Sequence, residues 1–305
     1  MRVQALSLAI ILTVTLAAPP RLPAQESLQA TLHSKLESDL NGVADHLKGV
    51  MGFAVKDLTT GETFFRNADI VFPQASSIKL TVLHELMRQA QEGKLSLDEK
   101  HTILRSETVA GDPILYMLGD GTVTLTLHDL AVFLVVLSDN SATNILIDRV
   151  GMDNINAGIA GLGLKETKLR RHMMDLEAAR QGNENVSTPR EMMALLEKLR
   201  AGAALDAPHT AEYFRLLELP KQSEFHEALP DTVKIADKPG SLEAVRCDSG
   251  IIEVPGHPFI LTVMTAYLAR DKDGERAIEE VARLAYAYFD RLSRSSPYGR
   301  VISEK

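Results

Sequence analysis

Segments that favour β-strands lie near both ends of this chain, and a long helical stretch separates them. Residues 51–55 and 63–65 flank a turn with Gly61, which predicts a β-hairpin. Apolar and β-branched runs at 232–236, 249–254 and 259–266 predict three further strands. Helical patterns occupy 26–48 and 277–292, and the middle, from about 97 to 230, is helical with loops.

This order of elements restricts the fold. Strands from the two ends can complete one antiparallel sheet if the middle forms a separate lobe. The sequence therefore predicts an α+β fold (an α/β sandwich) with a five-stranded antiparallel sheet, flanking N- and C-terminal helices and an all-helical lobe. We expect one domain over 25–305, with an α/β lobe at about 25–68 and 231–305 and a helical lobe at about 69–230.

The first 24 residues have the pattern of a signal peptide. Arg2 precedes an apolar run from Ala5 to Ala18, and a proline-rich break leads to Ala24. We expect cleavage after Ala24, a periplasmic or secreted location, and no stable membrane anchor in the mature chain. The alternative is a membrane anchor, but the run is short for a bilayer.

Composition excludes some classes of function. The net charge of −8 argues against a nucleic-acid partner, which would require a basic surface. The chain has one cysteine, Cys247, and lacks a Cys/His cluster, so we predict that it holds no metal. We expect a monomer.

Ser76 and Lys79 are the first candidate catalytic pair. A serine and a lysine three residues apart at a helix start share one helix face. A serine hydroxyl needs a nearby base to act as a nucleophile, and Lys79 could supply it. The alternative is a solvated helix start without chemistry.

Two further motifs carry polar groups suited to a binding site. In Ser138-Asp139-Asn140, Ser138 could relay a proton and Asn140 could bind a carbonyl, whereas Asp139 favours a helix cap. In Lys238-Pro239-Gly240, the lysine could face an anionic group and Gly240 permits a close backbone approach. The alternatives are a plain cap and an ordinary Pro-Gly turn.

The three motifs in this order resemble the penicillin-recognising serine hydrolases, and most closely the class A β-lactamases. The resemblance implies that Ser76 is the nucleophile, that Lys79 accepts its proton, and that Ser138 relays a proton to the departing nitrogen. The segments 72–73, 140–146 and 250–252 are also similar to the family.

The resemblance also implies a binding role for other residues. Asn140 would bind the acyl side chain, and Lys238 would bind the substrate carboxylate beside Gly240. The main-chain N–H groups of Ser76 and Ser241 would form the oxyanion hole. The family uses neither a metal nor an organic cofactor, and its substrates are β-lactams or D-Ala-D-Ala-like peptides.

The sequence departs from the class A pattern in the loop 169–177. If Arg171 is the loop arginine, Met173 stands where the family has the glutamate that activates the deacylating water. Glu177 stands where the family has an asparagine. We hypothesise that Glu177 replaces the missing base, which requires hydrogen-bond reach to the water. The alternative is a solvated residue paired with an arginine.

A second departure is Pro239, where the family has threonine or serine. A hydroxyl and an N–H are lost toward the substrate carboxylate, so we expect weaker carboxylate binding. The Ser241 hydroxyl and Arg246 are the residues that could partly offset this loss.

Three functions are compatible with these sequence features. The first is a β-lactamase that forms an acyl-enzyme on Ser76 and hydrolyses it. The second is a D,D-peptidase-like peptidoglycan enzyme or slow-turnover penicillin-binding protein, which the missing glutamate favours. The third is a periplasmic binder without catalysis, which the intact Ser76, Lys79, Ser138 and Lys238 disfavour.

Overall fold

The structure is a computed structural model, and it describes residues 28–109, 113–296 and 298–301. The signal peptide expected at 1–24 lies outside the described residues. In this described part of the chain, none of the helices combines the length and the apolar character needed to span a bilayer.

A five-stranded antiparallel sheet forms the centre of the molecule, as the sequence predicted. The strands of the described residues are β1 (Val50–Asp57), β2 (Thr63–Arg66), β3 (Phe72–Pro73), β4 (Lys100–Thr102), β5 (Thr124–Thr126), β6 (Val186–Ser187), β7 (Ile235–Leu242), β8 (Val245–Ile252) and β9 (Phe259–Ala266). The sheet order is β2-β1-β9-β8-β7, with each neighbouring pair antiparallel. The expected α+β fold is therefore confirmed.

The helices lie on both sides of this sheet. Those of the described residues are α1 (Leu28–His46), α2 (Lys79–Gln91), α3 (Pro113–Met117), α4 (Leu127–Val136), α5 (Asn140–Val150), α6 (Met152–Gly161), α7 (Leu176–Arg180), α8 (Pro189–Arg200), α9 (Ala207–Leu217), α10 (Glu224–Ala228) and α11 (Asp271–Ser293). The middle segment also contains two short strand pairs, β3 with β6 and β4 with β5, so it is not wholly helical.

The sheet separates two apolar cores. On β1, Phe53 and Val55 pack with α1 and α11, whereas Ala54 between them belongs to the core of the helical segment. Alternate residues of a strand point to opposite faces, so both faces of β1 are covered. Phe259–Ala266 is buried along its whole length. Burial on both faces explains why its sequence is a nearly continuous apolar run.

Several boundaries differ from those predicted. β7 continues past Ala236 to Leu242, because a two-residue turn with Ala244 at φ 59° joins it to β8. α11 begins at Asp271, six residues before the predicted start, because Gly274 and charged residues obscure its first turns in the sequence. The segment before Lys79 is a 3₁₀ turn and not α-helix.

Candidate active site

The Ser76 turn has an unusual backbone that places the hydroxyl at a cleft. Residues Ala75–Ile78 form the 3₁₀ turn, and α2 begins at Lys79. Ala75 has a φ of 46°, a left-handed conformation that alanine rarely adopts. Ser76 is half-buried and lines a cleft of about 590 Å³, whereas Lys79 is fully buried.

The Ser138 hydroxyl lies between two lysine amines. Lys79 Nζ donates to the main-chain oxygen of Ser138, to Ser138 Oγ at 3.2 Å and to Asn140 Oδ1 at 2.9 Å. Lys238 Nζ donates to the same Oγ at 2.9 Å. A serine oxygen has two lone pairs. A hydroxyl that accepts from both amines would direct its own hydrogen away from the two lysines.

The loop that carries Ser138 is fixed by the N-terminal cap of α5. Ser138 has a φ of 53°, and the next residue, Asp139, begins α5 as its N-cap. The Asp139 carboxylate accepts from the N–H of Ala142 at 2.7 Å. Asp139 thus caps the helix, as predicted.

Lys238 projects from β7 and is almost fully buried. Its main-chain oxygen accepts from Ser77 Oγ at 2.9 Å, which ties β7 to the Ser76 turn. Burial lowers the pKa of the Lys238 amine to about 8, although the nearby carboxyl groups of Asp237 and Asp248 oppose this shift.

The two carboxyl groups beside Lys238 are themselves buried. Asp237 forms an ion pair with Lys221 at 2.9 Å. Burial disfavours the charge of Asp237, but the His226 ring, whose Nδ1 lies 3.6 Å from Asp237 Oδ1, and the Lys221 charge bring its pKa to about 2. Burial and the charge of Asp237 raise the pKa of Asp248 well above its usual range. The negative charge beside Lys238 is therefore favoured on Asp237 and disfavoured on Asp248.

Gly240 lies where β7 passes closest to the Ser76 turn. A Cβ at this position would lie 2.7 Å from Ser77 N and 2.8 Å from Ser76 N, so only glycine fits without movement. Pro239 and Ser241 line the cleft. β7 is an edge strand, and residues two apart direct their N–H groups the same way. Pro239 has no N–H, so it removes a donor from the side of the strand to which Ser241 directs its N–H group.

Arg246 also lines the cleft, but its guanidinium already has partners. Its Nε contacts Glu275 at 3.1 Å, its Nη2 contacts Asp271 at 3.1 Å, and its Nη1 donates to two main-chain oxygens at 2.8 Å. An arginine bound in this way is a weak substitute for the donors that Pro239 removes.

The loop 169–177 packs Met173 inward. The Met173 side chain is 6% exposed and belongs to the core of the helical segment. Its N–H donates to Asn144 Oδ1 at 2.8 Å, and its carbonyl accepts from Asn144 Nδ2 at 3.1 Å. Arg171 pairs with Glu184 at 2.7 Å and fixes the start of the loop.

The structure does not bring Glu177 to the cleft, contrary to the hypothesis drawn from the sequence. Asp175 caps α7 through the N–H of Ala178, and this short helix directs Glu177 outward. The Glu177 side chain is 68% exposed and pairs with Arg180 at 3.1 Å. It is a solvated residue paired with an arginine, which was the alternative interpretation.

Sequence reasoning missed the acidic residues on the far side of the cleft. Glu224, Glu227, Glu275 and Glu279 line it together with Ser76 and Lys238. Burial raises the pKa of Glu224 to about 7. α10 has only five residues, too few for a helical period, so its signal in the sequence is limited to the Ser223 cap.

Comparison with known proteins gives a match over most of the chain. A family model described as the β-lactamase enzyme family matches residues 35–289. The chain belongs to this β-lactamase family. The resemblance to class A β-lactamases drawn from the motifs is thereby confirmed, and the family supports a β-lactam-hydrolysing type of enzyme.

Individual relatives are similar over nearly their whole length. β-Lactamase SME-1 from Serratia marcescens is 28% identical over 266 residues, which are 84% of this chain and 87% of the relative. A β-lactamase structure from Sphaerobacter thermophilus is 28% identical with a TM-score of 0.77, covering 84% of this chain and 97% of that chain. The structure of an ancestral (GNCA) class A β-lactamase is 27% identical with a TM-score of 0.77, covering 83% of this chain and 99% of that chain.

Within this family, the present chain combines a complete cluster of four polar groups with an altered loop. Ser76, Ser138 and Lys238 line one cleft, and Lys79 donates to Ser138. Met173 presents an apolar side chain to the core. In the part of the chain that the structure describes, no group of three or more histidine, cysteine or acidic side chains could hold a metal ion.

Proposed function

We propose that this β-lactamase-family chain is a serine hydrolase that opens β-lactam rings through an acyl-enzyme on Ser76. The observation that supports it most is the convergence of two lysine amines on the Ser138 hydroxyl, beside the cleft that Ser76 lines. This arrangement provides a nucleophile, a base and a proton donor within one site.

Acylation would proceed through a tetrahedral intermediate that collapses to the acyl-enzyme. Ser76 Oγ forms an ester bond with the lactam carbonyl carbon, and the ring C–N bond breaks. Neutral Lys79 accepts the Ser76 proton, and Ser138 donates its own proton to the departing nitrogen. Lys79 then returns a proton to Ser138 across their 3.2 Å contact. The N–H groups of Ser76 and Ser241 would stabilise the oxyanion.

Substrate binding would rely mainly on Lys238. Its ammonium is the nearest charge to Ser138 that can meet a substrate carboxylate. Pro239 offers neither a hydroxyl nor an N–H, and Arg246 is held by Asp271 and Glu275. We therefore propose weak binding of the carboxylate, which would appear as a low second-order rate constant for acylation by penicillins.

Hydrolysis of the acyl-enzyme would be slow. A thioether cannot take a proton from water, and Met173 points into the core. Glu177 is exposed and paired with Arg180, so it does not supply the base. These contacts favour the second candidate function, a slow-turnover penicillin-binding or D,D-peptidase-like enzyme, over a rapid β-lactamase.

Intact-mass measurement tests both functions. The mature protein is mixed with benzylpenicillin, and its mass is followed together with the loss of free antibiotic. We expect an adduct of one penicillin that outlives mixing by minutes or longer, and no adduct on a Ser76→Ala variant. An adduct that forms on Ser76→Ala as well would contradict the assignment of the nucleophile.

The time course separates the candidates. A fleeting adduct with bulk hydrolysis would favour a β-lactamase, and a lasting adduct would favour the slow-turnover enzyme. Release of D-alanine from a D-Ala-D-Ala peptide would identify a peptidase. If no adduct forms, the proposal of covalent catalysis fails.

We also propose that the chain is exported. The pattern of residues 1–24 supports a cleaved signal peptide and a periplasmic or secreted enzyme. Mass analysis of the protein from the periplasmic fraction should give a chain that begins at Gln25.

A further inference from the structure

One side of the cleft is formed by α10 and the first half of α11. Four carboxyl groups from these helices line the cavity, and we call them the acidic wall: Glu224, Glu227, Glu275 and Glu279. The wall is not a separate site. It bounds the same cavity as Ser76 and Ser138, so it faces any molecule that the nucleophile binds.

Two cations stand next to the wall, and the chain itself neutralises both. Arg246 contacts Glu275 and Asp271, each at 3.1 Å. Lys272 contacts the other oxygen of Glu275 at 2.9 Å. Because Glu275 is shared by both cations and Asp271 adds a further carboxylate, these cations offer little net positive charge to a ligand.

The remaining wall residues add negative charge. Glu227 is exposed to solvent. Glu279 contacts Arg283 at 3.4 Å, but Arg283 also pairs with Glu280 at 3.1 Å and so does not cancel both charges. Glu224 is partly buried, and the carboxylate of Glu275 adds to the effect of burial in disfavouring its ionised form. An additional positive charge at the wall would therefore relieve repulsion among carboxylates that the fold holds together.

The wall lies at the carboxylate end of the site. Arg246 is the strand partner of Ser241, and both line the cleft. A β-lactam with its carbonyl at Ser76 and its carboxylate toward Lys238 and Ser241 would therefore direct that carboxylate to the side of the cleft that Arg246 lines. In a cephalosporin the carboxylate is on C4, and the variable substituent is on the adjacent carbon, C3. A substituent at C3 would therefore extend toward the acidic wall.

We propose that the acidic wall makes this enzyme selective for substrates that carry a positive charge beside their carboxylate. Such substrates include cephalosporins with a cationic C3 substituent and peptides with an amine near the C-terminal carboxylate. The selectivity rests on the proposed function, because the orientation of the substrate follows from acylation at Ser76. Glu227 is the wall residue most accessible to such a charge.

Two cephalosporins provide a matched pair of probes. Cephalothin and cephaloridine share a thienylacetyl side chain, and they differ at C3, where cephalothin is neutral and cephaloridine carries a permanent pyridinium. Their affinities are measured by calorimetry on the Ser76→Ala variant, where the comparison does not depend on the nucleophile. A single exposed charge contact gives about a two- to fivefold effect, so we expect cephaloridine to bind at least that much more tightly.

A charge-neutral wall variant tests the cause. Glu227→Gln in the Ser76→Ala background should weaken cephaloridine binding by about two- to fivefold and leave cephalothin binding unchanged or slightly stronger. Glu37→Gln, an exposed glutamate on α1, removes the same charge outside the cleft and should change neither affinity. The preference for cephaloridine should also decrease as salt is added.

Equal affinities for the two cephalosporins, or equal effects of Glu227→Gln and Glu37→Gln, would overturn the selectivity. Failure of the proposed function is a separate result. In that case neither cephalothin nor cephaloridine would acylate the parent protein. The affinities measured on Ser76→Ala would still report the effect of the wall.

Discussion

Lys238 Nζ donates to Ser138 Oγ at 2.9 Å and so joins β7 to the loop between α4 and α5, across 100 residues of chain. Lys79 reaches the same oxygen from α2 at 3.2 Å. One hydroxyl therefore connects three elements of the fold. The position of the Ser138 hydroxyl depends on tertiary packing.

Removal of this hydroxyl should block proton transfer. We expect Ser138→Ala to lower the rate constant for acylation by benzylpenicillin by about 10²- to 10⁴-fold, the usual contribution of a positioned acid or base. Intact-mass kinetics measures it. Ser293→Ala, at the end of α11, removes a hydroxyl far from the cleft and should acylate at the parent rate. Unchanged acylation of Ser138→Ala would show that another group protonates the nitrogen.

The buried amine of Lys238 should set the alkaline limit of acylation. Its pKa of about 8 lies below the ordinary lysine value of 10.5, so the ammonium is lost near pH 8 in the free enzyme. We expect the second-order rate constant for acylation by an anionic penicillin to decrease above pH 8. This rate constant reports ionisations of the free enzyme.

Lys238→Arg provides the matched control, since a guanidinium stays charged to beyond pH 12. The alkaline decrease should be absent in this variant, even if its overall rate is lower. A parent rate constant that stays level to pH 10 would contradict the proposed role of the ammonium.

Sequence reasoning located the polar cluster because each motif occurs at a recognisable local signal. Ser76 precedes a helical pattern, and Asp139 caps the next helix through Ala142. It misplaced Glu177, because the orientation of that side chain depends on a short helix capped by Asp175. Such a short helix shows no apolar period, so the outward direction of Glu177 has no signal in the sequence.

The acidic wall could not be predicted from the sequence, for a related reason. Glu224 and Glu275 are 51 positions apart in the sequence and meet only because α10 packs on α11. The sheet, in contrast, was predictable, since Phe259–Ala266 and the hairpin at 50–66 have strong local patterns. Local periodicity therefore predicts elements, whereas charges brought together by tertiary contacts require the structure.

Glu224 should make stability depend on pH. Its pKa is about 7 when folded and near 4.5 when unfolded, so between pH 4.5 and 7 the folded state binds more protons. The free energy of unfolding should therefore decrease as pH rises through this range. We expect Glu224→Gln to be more stable than the parent by on the order of 1–3 kcal/mol at pH 8 and nearly equal to it at pH 4.5.

Urea unfolding at the two pH values measures this difference. Glu37→Gln serves as the control, because it makes the same substitution at an exposed position on α1, where the effect on stability should be small. A Glu224→Gln variant with the same stability gain at pH 4.5 and pH 8 would contradict the raised pKa.

Gly240 should be required for the approach of β7 to the nucleophile. A Cβ there would lie 2.7 Å from Ser77 N and 2.8 Å from Ser76 N. Both are main-chain atoms, so the turn must shift. We expect Gly240→Ala to lose about 1–3 kcal/mol of stability and to acylate more slowly, measured by urea unfolding and intact mass. Gly42→Ala on α1 has open space and should be neutral or gain about 0.5–1 kcal/mol.

A carboxylate at Met173 should shorten the life of the acyl-enzyme. The class A resemblance places the deacylating glutamate at this position, and Asn144 already holds its backbone through two hydrogen bonds. A carboxylate, unlike the thioether, is destabilised among the apolar side chains around Met173, which favours its turning toward the cleft. We expect Met173→Glu to accelerate loss of the penicilloyl adduct by on the order of 10²-fold. Burying a carboxyl group among apolar neighbours should also cost about 1–3 kcal/mol of stability.

Met174→Glu is the matched control for this change. Met174 is the adjacent residue, but it is 41% exposed and has a φ of 65°, so its side chain does not share the packing of Met173. A glutamate there adds the same charge to the loop at little cost in burial. If both variants clear the adduct equally fast, the gain comes from the added charge or from a loosened loop. If only Met173→Glu does so, slow turnover in the parent follows from the absence of one correctly placed base.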